Sequence, residues 1–519
     1  MAAETANDLS RWKTAKSLIP RIALFFILLG VALRFLRLGL NFPLWGDEAF
    51  VALNFLDSDF LSLAKPLRHY QIAPLGFLWI EKVMVILLGT SEFAVRLAPC
   101  LAGTLALFIS LKGFKAITRR KTALLSLAIL AVSYYPIRHA CEAKPYAFDL
   151  LAASIFFWFG SKALGKNSSQ KPVFLLALLA PFLLFTSFPA AFSAGAVCIA
   201  LGFHILHQKK YNLVFPTISL SLSIAASFSA HYLIVGNNQY NNELAKHQAY
   251  WDSTFPPVNL FQFPIWFLKT HAGNLSAYPL GGKDGASAIT FLLFLSGIFA
   301  LVRKSNFSLL LLLLAPFALN LVAAFMGRYP YGGSARVAQH LAPSICLLMA
   351  IGALSILNLK TFYKIRLKAF FGILLVLILF AFIQAIRDVK KPYKSPGDLQ
   401  ARSLVRELCS NIPPGQPLII TREKDLIDPT LEWYLKTQRN KIAWTAEDKL
   451  QIIAMQNKKF LWLWLPFRLP GGDTQPAVEI PIIHDVRCEI KKEFSFALGR
   501  DTKIKPQMVL VEVSSGESP

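Results

Sequence analysis

The sequence predicts an all-α polytopic membrane bundle of about eleven transmembrane helices over residues 1–389, followed by a small extracytoplasmic α/β domain over residues 390–519. Three observations predict it. Hydrophobic residues make up 55% of the 519, charged residues only 16%, and there are 42 Phe. With a mean hydropathy of +0.47, this is not the composition of an ordinary soluble enzyme. Apolar runs approaching the roughly 20 residues that cross a bilayer recur throughout the first part of the chain. From Lys390 the composition becomes that of a soluble domain, opening with "KKPYKSPGD". There "PLIIT", "KKFLWLWLP" and "MVLVEV" read as strands, and "DLQARSLVRELCS" and "PTLEWYLKT" as helices.

Spans are expected near 21–38, 92–111, 122–138, 145–163, 173–187, 189–207, 213–235, 286–302, 307–326, 340–357 and 369–386. The first carries Arg34 and Arg37 near its end and lacks a small-residue cleavage site, so it reads as a retained anchor, not a signal peptide. One further run, "APLGFLWIEKVMVILLG", decides the topology. If it does not cross, the clusters Arg11/Lys13/Lys16, Lys112/Lys115/Arg119/Arg120/Lys121, Lys162/Lys166/Lys171, Lys209/Lys210, Arg303/Lys304 and Lys360/Lys364/Arg366/Lys368 all share one side, the positive-inside pattern. Glu81 and Lys82 in its middle would each cost about 2.5–3.5 kcal/mol at mid-bilayer, so the segment near 69–88 is expected to lie along the interface. The N-terminus is then cytoplasmic and the C-terminus outside.

The 54 Lys and Arg against 30 Asp and Glu give a formal charge of +24. These cations are accounted for by topology, and no basic groove with interleaved aromatics accompanies them, which argues against nucleic-acid binding. The six Cys show no metal-ligand spacing and read as small packing residues. Cys409 and Cys488 both fall in the exported domain and are the two that could pair.

On this layout the outward loops hold nearly all the remaining acids. Asp47 and Glu48 follow "FPLWG", where Pro43 and Gly46 are expected to stop the first helix and Trp45 to anchor at the interface. Taken by themselves they could be solvated loop carboxylates. The second loop, "YYPIRHACEAKPYAFD", also brings an acid to membrane level. Glu142 is flanked there by Arg138, His139, Lys144 and Tyr146, and Pro145 suits the first turn of the next helix. Asp149, about one turn inside that helix, needs a partner or a watery cavity. A third loop, "MGRYPYGGSARVAQH", supplies Arg328, Tyr329 and Arg336. Arginine forks match phosphate oxygens, although anchoring to phospholipid headgroups is the competing reading there and for Arg34 and Arg37. Carboxylates and phosphate-binding cations on one face suit group transfer from a lipid phosphate. One carboxylate would take the acceptor's proton, while arginines, or a divalent metal held by carboxylates, stabilise the leaving phosphate.

"LWGDEAF", "HYQIAPLGFLWIEKVMVILLGTSEFAVRLAP", "EAKPYAFDLL" and "GRYPYGGSARVAQHLAP" together resemble the bacterial GT-C superfamily of multispanning glycosyltransferases, related to protein O-mannosyltransferases and lipid A aminoarabinose transferases. The resemblance covers roughly the first 390 residues. It implies an inverting transferase of the bacterial inner membrane that uses a polyprenyl-phosphate sugar donor and a lipid, glycan or protein acceptor on the non-cytoplasmic side. Asp47 would be the base or a metal ligand, with Glu48 beside it and Glu142 as second acid and possible metal ligand. The segment after His69 would form amphipathic helices on the membrane. "HYQIAP" departs from the family in the residues before its Pro, which leaves the role of His69 open, and Lys144 stands where Arg is commoner. In the loop from Gly236 to Asp284, His247, Tyr250, Trp251 and Asp252 could line a sugar or acceptor site. A transporter or flippase for a lipid-linked or anionic substrate is the alternative, but no duplicated halves are visible; a silent scaffold would leave the membrane-level acids unexplained.

Overall fold

A computed structural model describes residues 2–165, 169–236, 239, 251–259, 261–362, 364–390, 392, 396–412, 418–421, 429–438, 442–445, 459–464, 486–495 and 507–515. In chain order the helices are α1 (Ala2–Gly39), α2 (Gly46–Asp57), α3 (Leu75–Leu88), α4 (Glu92–Ile117), α5 (Arg120–Val132), α6 (Tyr134–Ala140), α7 (Tyr146–Ala163), α8 (Lys171–Thr186), α9 (Ala190–Gln208) and α10 (Val214–His231). They continue with α11 (Phe263–His271), α12 (Ala288–Arg303), α13 (Phe307–Phe325), α14 (Ala342–Leu357), α15 (Arg366–Lys390), α16 (Pro396–Ser410) and α17 (Pro429–Gln438). The strands are β1 (Leu418–Thr421), β2 (Ile442–Thr445), β3 (Lys459–Trp464), β4 (Val486–Ser495) and β5 (Gln507–Ser515). The chain divides into two compact units. One comprises Met1–Leu40, Ser58–Leu87 and Phe93–Val389; the other comprises Asn41–Asp57, Leu88–Glu92 and Lys390–Pro519.

The larger unit is a helical, multi-pass membrane body. Among the described residues seven helices are long and apolar enough to cross a bilayer, or eight if α5 and α6, bent by 55°, form one broken span. The sequence reading expected about eleven. The difference falls on α7, which carries Asp149 and Lys162, and on α8 and α12, which have 16 residues each. Sixteen residues of α-helix reach only about 24 Å, short of the roughly 30 Å hydrocarbon core. Asp149 finds its partner in Ser187, whose hydroxyl donates to the carboxylate at 2.7 Å and accepts from the Ala190 amide at 3.2 Å, tying α7 to the start of α9.

Small residues permit a close crossing of α12 and α14. A Cβ on Gly297 of α12 would overlap the Leu348 carbonyl of α14, and one on Gly352 would overlap the Leu293 carbonyl. Such contact exploits the close backbone approach that glycine permits between helices in lipid. Helix α3 has 14 residues. Within it Glu81 is fully buried, while Val83, Ile86, Leu87 and Leu88 are exposed.

In the smaller unit the five strands form one sheet of order β2-β1-β3-β5-β4. Strands β1, β2 and β3 run parallel, β5 is antiparallel to β3 and β4, and a bulge interrupts β4 between Ile490 and Lys492. The Cys488 side chain lies outside the described residues, and the expected Cys409–Cys488 pairing with it. The region after the first span is more ordered than a solvated loop. Gly46, expected to act as a helix stop, is instead the first residue of α2. Tyr434 of α17 accepts from the Leu44 amide at 2.8 Å and donates to Glu92 at 2.9 Å. Arg402 of α16 donates to the same Glu92 oxygen at 3.0 Å and to the Asn41 carbonyl at 2.9 Å. Lys436 pairs with Asp57 at the other end of α2.

Candidate active site

Glu142 is the best-defined centre of charge in the larger unit. Ser133 adopts an extended conformation that ends α5, and Pro136 sits in the first turn of α6, where a missing amide hydrogen costs nothing. The short helix then delivers Arg138 and His139 to the turn that follows it. Arg138 Nε donates to Glu142 Oε1 at 2.9 Å, and His139 Nδ1 meets Oε2 at 2.7 Å. Glu142 is 1% exposed. Burial by itself would raise its carboxyl, but His139 and Arg138 outweigh that and hold it below the usual carboxylate range.

The network continues through three helices. Arg138 Nη1 donates to the Tyr134 hydroxyl at 3.1 Å, which donates in turn to Asp388 Oδ1 at 3.5 Å. Asp388, in the last turn of α15, pairs with Arg37 of α1, and the Arg387 guanidinium stands 5.9 Å from the Tyr134 ring centre. Two long helices are thereby fastened to the segment that carries Glu142.

Aromatic rings and a second arginine surround His139. Tyr135 lies parallel to its ring at 5.8 Å, and Tyr146 meets it edge-on at 5.3 Å. The Arg336 guanidinium lies within electrostatic reach of the imidazole and stands 4.8 Å from the ring centre of Trp251. The turn before Arg336 is firmly seated. Gly332 and Gly333 have φ of +67° and +64°, and a Cβ on either would collide with Thr270 or Thr254. The Tyr331 amide donates to the Thr254 carbonyl at 3.1 Å, and its hydroxyl donates to His271 Nε2 at 3.1 Å. His271 Nδ1 donates to the Phe267 carbonyl, which fixes the tautomer.

The structure thus brings Arg138, Glu142 and Tyr146 together, with Arg37 joined through Asp388 and Arg336 held over Trp251. Lys144 donates to Gln71 Oε1 at 3.0 Å, and Gln71 donates to the His69 carbonyl at 3.0 Å. His69 itself has φ +58° within a short turn. The other candidates have surroundings of their own. Arg34 is fully enclosed, its Nη1 donating to the Gly30 and Ala131 carbonyls, so it faces helix packing and not the headgroups. Arg328 is exposed, and among the described residues its side chain enters none of these contacts. Tyr329 closes its own turn by donating to the Val337 carbonyl at 3.1 Å. Asp47 and Glu48 belong to the smaller unit, in the first turn of α2. There Asp47 is half-buried, while Glu48 is buried and accepts from the Trp45 amide at 3.2 Å, capping its own helix. Trp251 is buried and Asp252 exposed; His247 and Tyr250 lie outside the described residues.

A divalent metal fits Glu142 poorly, because both carboxylate oxygens already accept from cationic or imidazole donors that a metal would have to displace. Among the described residues no group of three or more His, Cys, Asp or Glu could hold a metal ion. Tyr134, Tyr135, Gln71 and Asp388 escaped the sequence reading. Tyr134 and Tyr135 did carry a signal, since they stand one helical turn before Arg138 and His139.

The crystal structure of ArnT from Cupriavidus metallidurans bound to undecaprenyl phosphate matches this architecture with a TM-score of 0.54 at 13% identity, over 85% of this chain and 93% of that one. The fold is that of ArnT, a GT-C glycosyltransferase. Apo ArnT matches likewise, with a TM-score of 0.51 and 12% identity over 85% of this chain and 92% of that one. The archaeal oligosaccharyltransferase AglB from Archaeoglobus fulgidus, in complex with an inhibitory peptide and a dolichol-phosphate, gives 0.47 and 11% over 86% and 69%. Residues 73–233 match the family described as dolichyl-phosphate-mannose-protein mannosyltransferase. That stretch runs from just before α3 through α10 and includes Glu142. No curated protein matches the sequence.

Proposed function

We propose that this GT-C chain is an inverting glycosyltransferase of the bacterial inner membrane. It would move a sugar from a polyprenyl-phosphate carrier to a lipid, glycan or protein acceptor on the extracytoplasmic face. The observation that carries the reading is the buried Glu142 carboxylate, clamped by Arg138 and His139 within the stretch that matches a dolichyl-phosphate-mannose mannosyltransferase family. The GT-C relative ArnT, whose crystal structure holds undecaprenyl phosphate, supports a lipid-phosphate donor. The positive-inside pattern supports a cytoplasmic N-terminus, and with it residues 390–519 would lie outside, as an acceptor-docking or structural module.

In the proposed reaction the acceptor oxygen attacks the anomeric carbon from the face opposite the phosphate. The carbon–oxygen bond to the phosphate breaks, its electron pair leaves on the lipid phosphate, and the acceptor proton passes to Asp47, the base that the resemblance implies. Arg336, held over Trp251, is a cation directed at the growing phosphate charge, and Lys144 is a second. Glu142, with both oxygens engaged, positions Arg138 and His139. No step is assigned to a metal.

The test uses the full chain in lipid nanodiscs with radiolabelled polyprenyl-phosphate sugars and membrane extract. Wild type is expected to label an acceptor, and Asp47→Asn, folded normally, to lose most of that product. Full activity in Asp47→Asn would remove the base from the mechanism. Absence of labelled product from wild type with every donor would end the transferase reading.

A further inference from the structure

One nitrogen of His139 is left unused by the fold. Nδ1 is engaged by Glu142, but Nε2 is buried without a hydrogen-bond partner among the described residues, on a side chain only 5% exposed. Buried polar atoms are almost always paired, and an exception calls for a missing partner. Packing does not explain it, since an apolar ring would fill the same space without leaving a nitrogen unpaired. The surroundings indicate what is missing. Tyr135 and Tyr146 supply aromatic surface against the imidazole, and Arg138, bonded to the same Glu142, supplies a cation near it. Ring faces next to a hydrogen-bonding atom suit the alternating C–H and O–H surface of a sugar, and the guanidinium suits a phosphate attached to it.

We propose that His139 Nε2 hydrogen-bonds a hydroxyl group of the substrate, on the donor sugar or on the acceptor, and that Glu142 acts through Nδ1 to aim it. This rests on the glycosyl-transfer reading. A hydroxyl both donates and accepts, so it satisfies Nε2 whichever protonation state the ring is in.

Two substitutions separate this role from simple support of Glu142. In His139→Asn the side-chain amide falls where Nδ1 was, so the Glu142 bond is kept and the Nε2 position is emptied. In His139→Gln the amide reaches the Nε2 position and the Glu142 bond is weakened. Full-length protein in nanodiscs is titrated with undecaprenyl-phosphate hexose and, as a control, with undecaprenyl phosphate lacking a sugar; transfer is then measured against increasing membrane extract. If the hydroxyl is the donor's, His139→Asn binds the sugar-bearing lipid about tenfold more weakly, about 1.4 kcal/mol, and binds the bare lipid phosphate like wild type. If it is the acceptor's, donor binding is unchanged and half-maximal transfer needs about tenfold more extract. In both cases His139→Gln retains more function than His139→Asn. A His139→Asn protein equal to wild type in all three measurements, or one outperforming His139→Gln throughout, overturns the proposal and leaves His139 as a support for Glu142. Failure of wild type to bind any sugar-bearing lipid overturns the transferase reading itself, and the proposal with it.

Discussion

Removing the Glu142 and Arg138 charges together should destabilise the protein by less than the two separate losses added. Glu142→Gln keeps the shape of the side chain but turns one acceptor oxygen into an amide donor facing the Arg138 guanidinium or the His139 ring. Each charge-assisted hydrogen bond lost, 2.9 Å to Arg138 and 2.7 Å to His139, contributes about 1.5–3 kcal/mol. Leaving a buried guanidinium without its counter-charge brings the expected loss to about 3–5 kcal/mol. Arg138→Gln should cost a similar amount, because Glu142 then keeps a single partner in a site that is 1% exposed. The double variant has no uncompensated charge, so its loss should fall short of the sum by about 2 kcal/mol. Unfolding free energies measured by SDS titration in bicelles give all four corners of the cycle. A double loss equal to the sum of the single losses within about 0.5 kcal/mol would refute the claim that these two side chains act as one unit.

Three further outcomes follow from other features. The Glu142 carboxyl is held below its ordinary range, so the stability it contributes is complete above the unfolded value and disappears as pH falls through the folded one. The difference in stability between wild type and Glu142→Gln should therefore be flat over about pH 5–8 and shrink in stronger acid; a slope near neutrality would contradict the pairing. Gly297→Ala and Gly352→Ala should each lower the melting temperature, by about 1–3 kcal/mol equivalent, because each Cβ meets a carbonyl of the facing helix. Gly372→Ala, whose Cβ meets nothing within 4 Å, should be neutral or stabilising by up to about 1 kcal/mol, and differential scanning fluorimetry compares the three. Tyr434→Phe removes the hydroxyl that bridges the Leu44 amide and Glu92. It should cost about 1–3 kcal/mol and lower transfer by loosening the segment that carries Asp47; unchanged hydrogen exchange over residues 41–57 would show that the bridge does not matter.

Much of the membrane architecture was legible because it obeys local rules. Hydrophobic run length and the side on which Lys and Arg cluster can be read without knowing any contact. The Arg138–Glu142 pair was legible for the same reason, being four residues apart at the mouth of a helix announced by Pro145. What stayed hidden depends on distance along the chain. Tyr134 and Asp388 are 254 positions apart, and nothing in the periodicity of α1 or α15 marks Arg37 and Asp388 as partners. The helix that carries Glu48 was hidden for a subtler reason. An acid after a Gly looks like a loop carboxylate, yet here Gly46 opens a helix and Glu48 accepts from the Trp45 amide just before it. Of the two aromatic neighbours of His139, Tyr146 was legible beside Glu142, but Tyr135 was passed over, because tyrosines near a membrane surface have an ordinary role as interfacial anchors.

The bond between the Leu44 amide and Tyr434 spans 390 positions, which makes the timing of synthesis part of this protein's chemistry. A ribosome adding about 5–20 residues per second releases the first outward segment well before α17 exists. Until then Glu92 has no Tyr434 to bind, and α2 has no Lys436 at its end. A nascent chain stopped before residue 429 would thus hold a fully inserted first helix whose neighbouring acids have not yet been given their final shape.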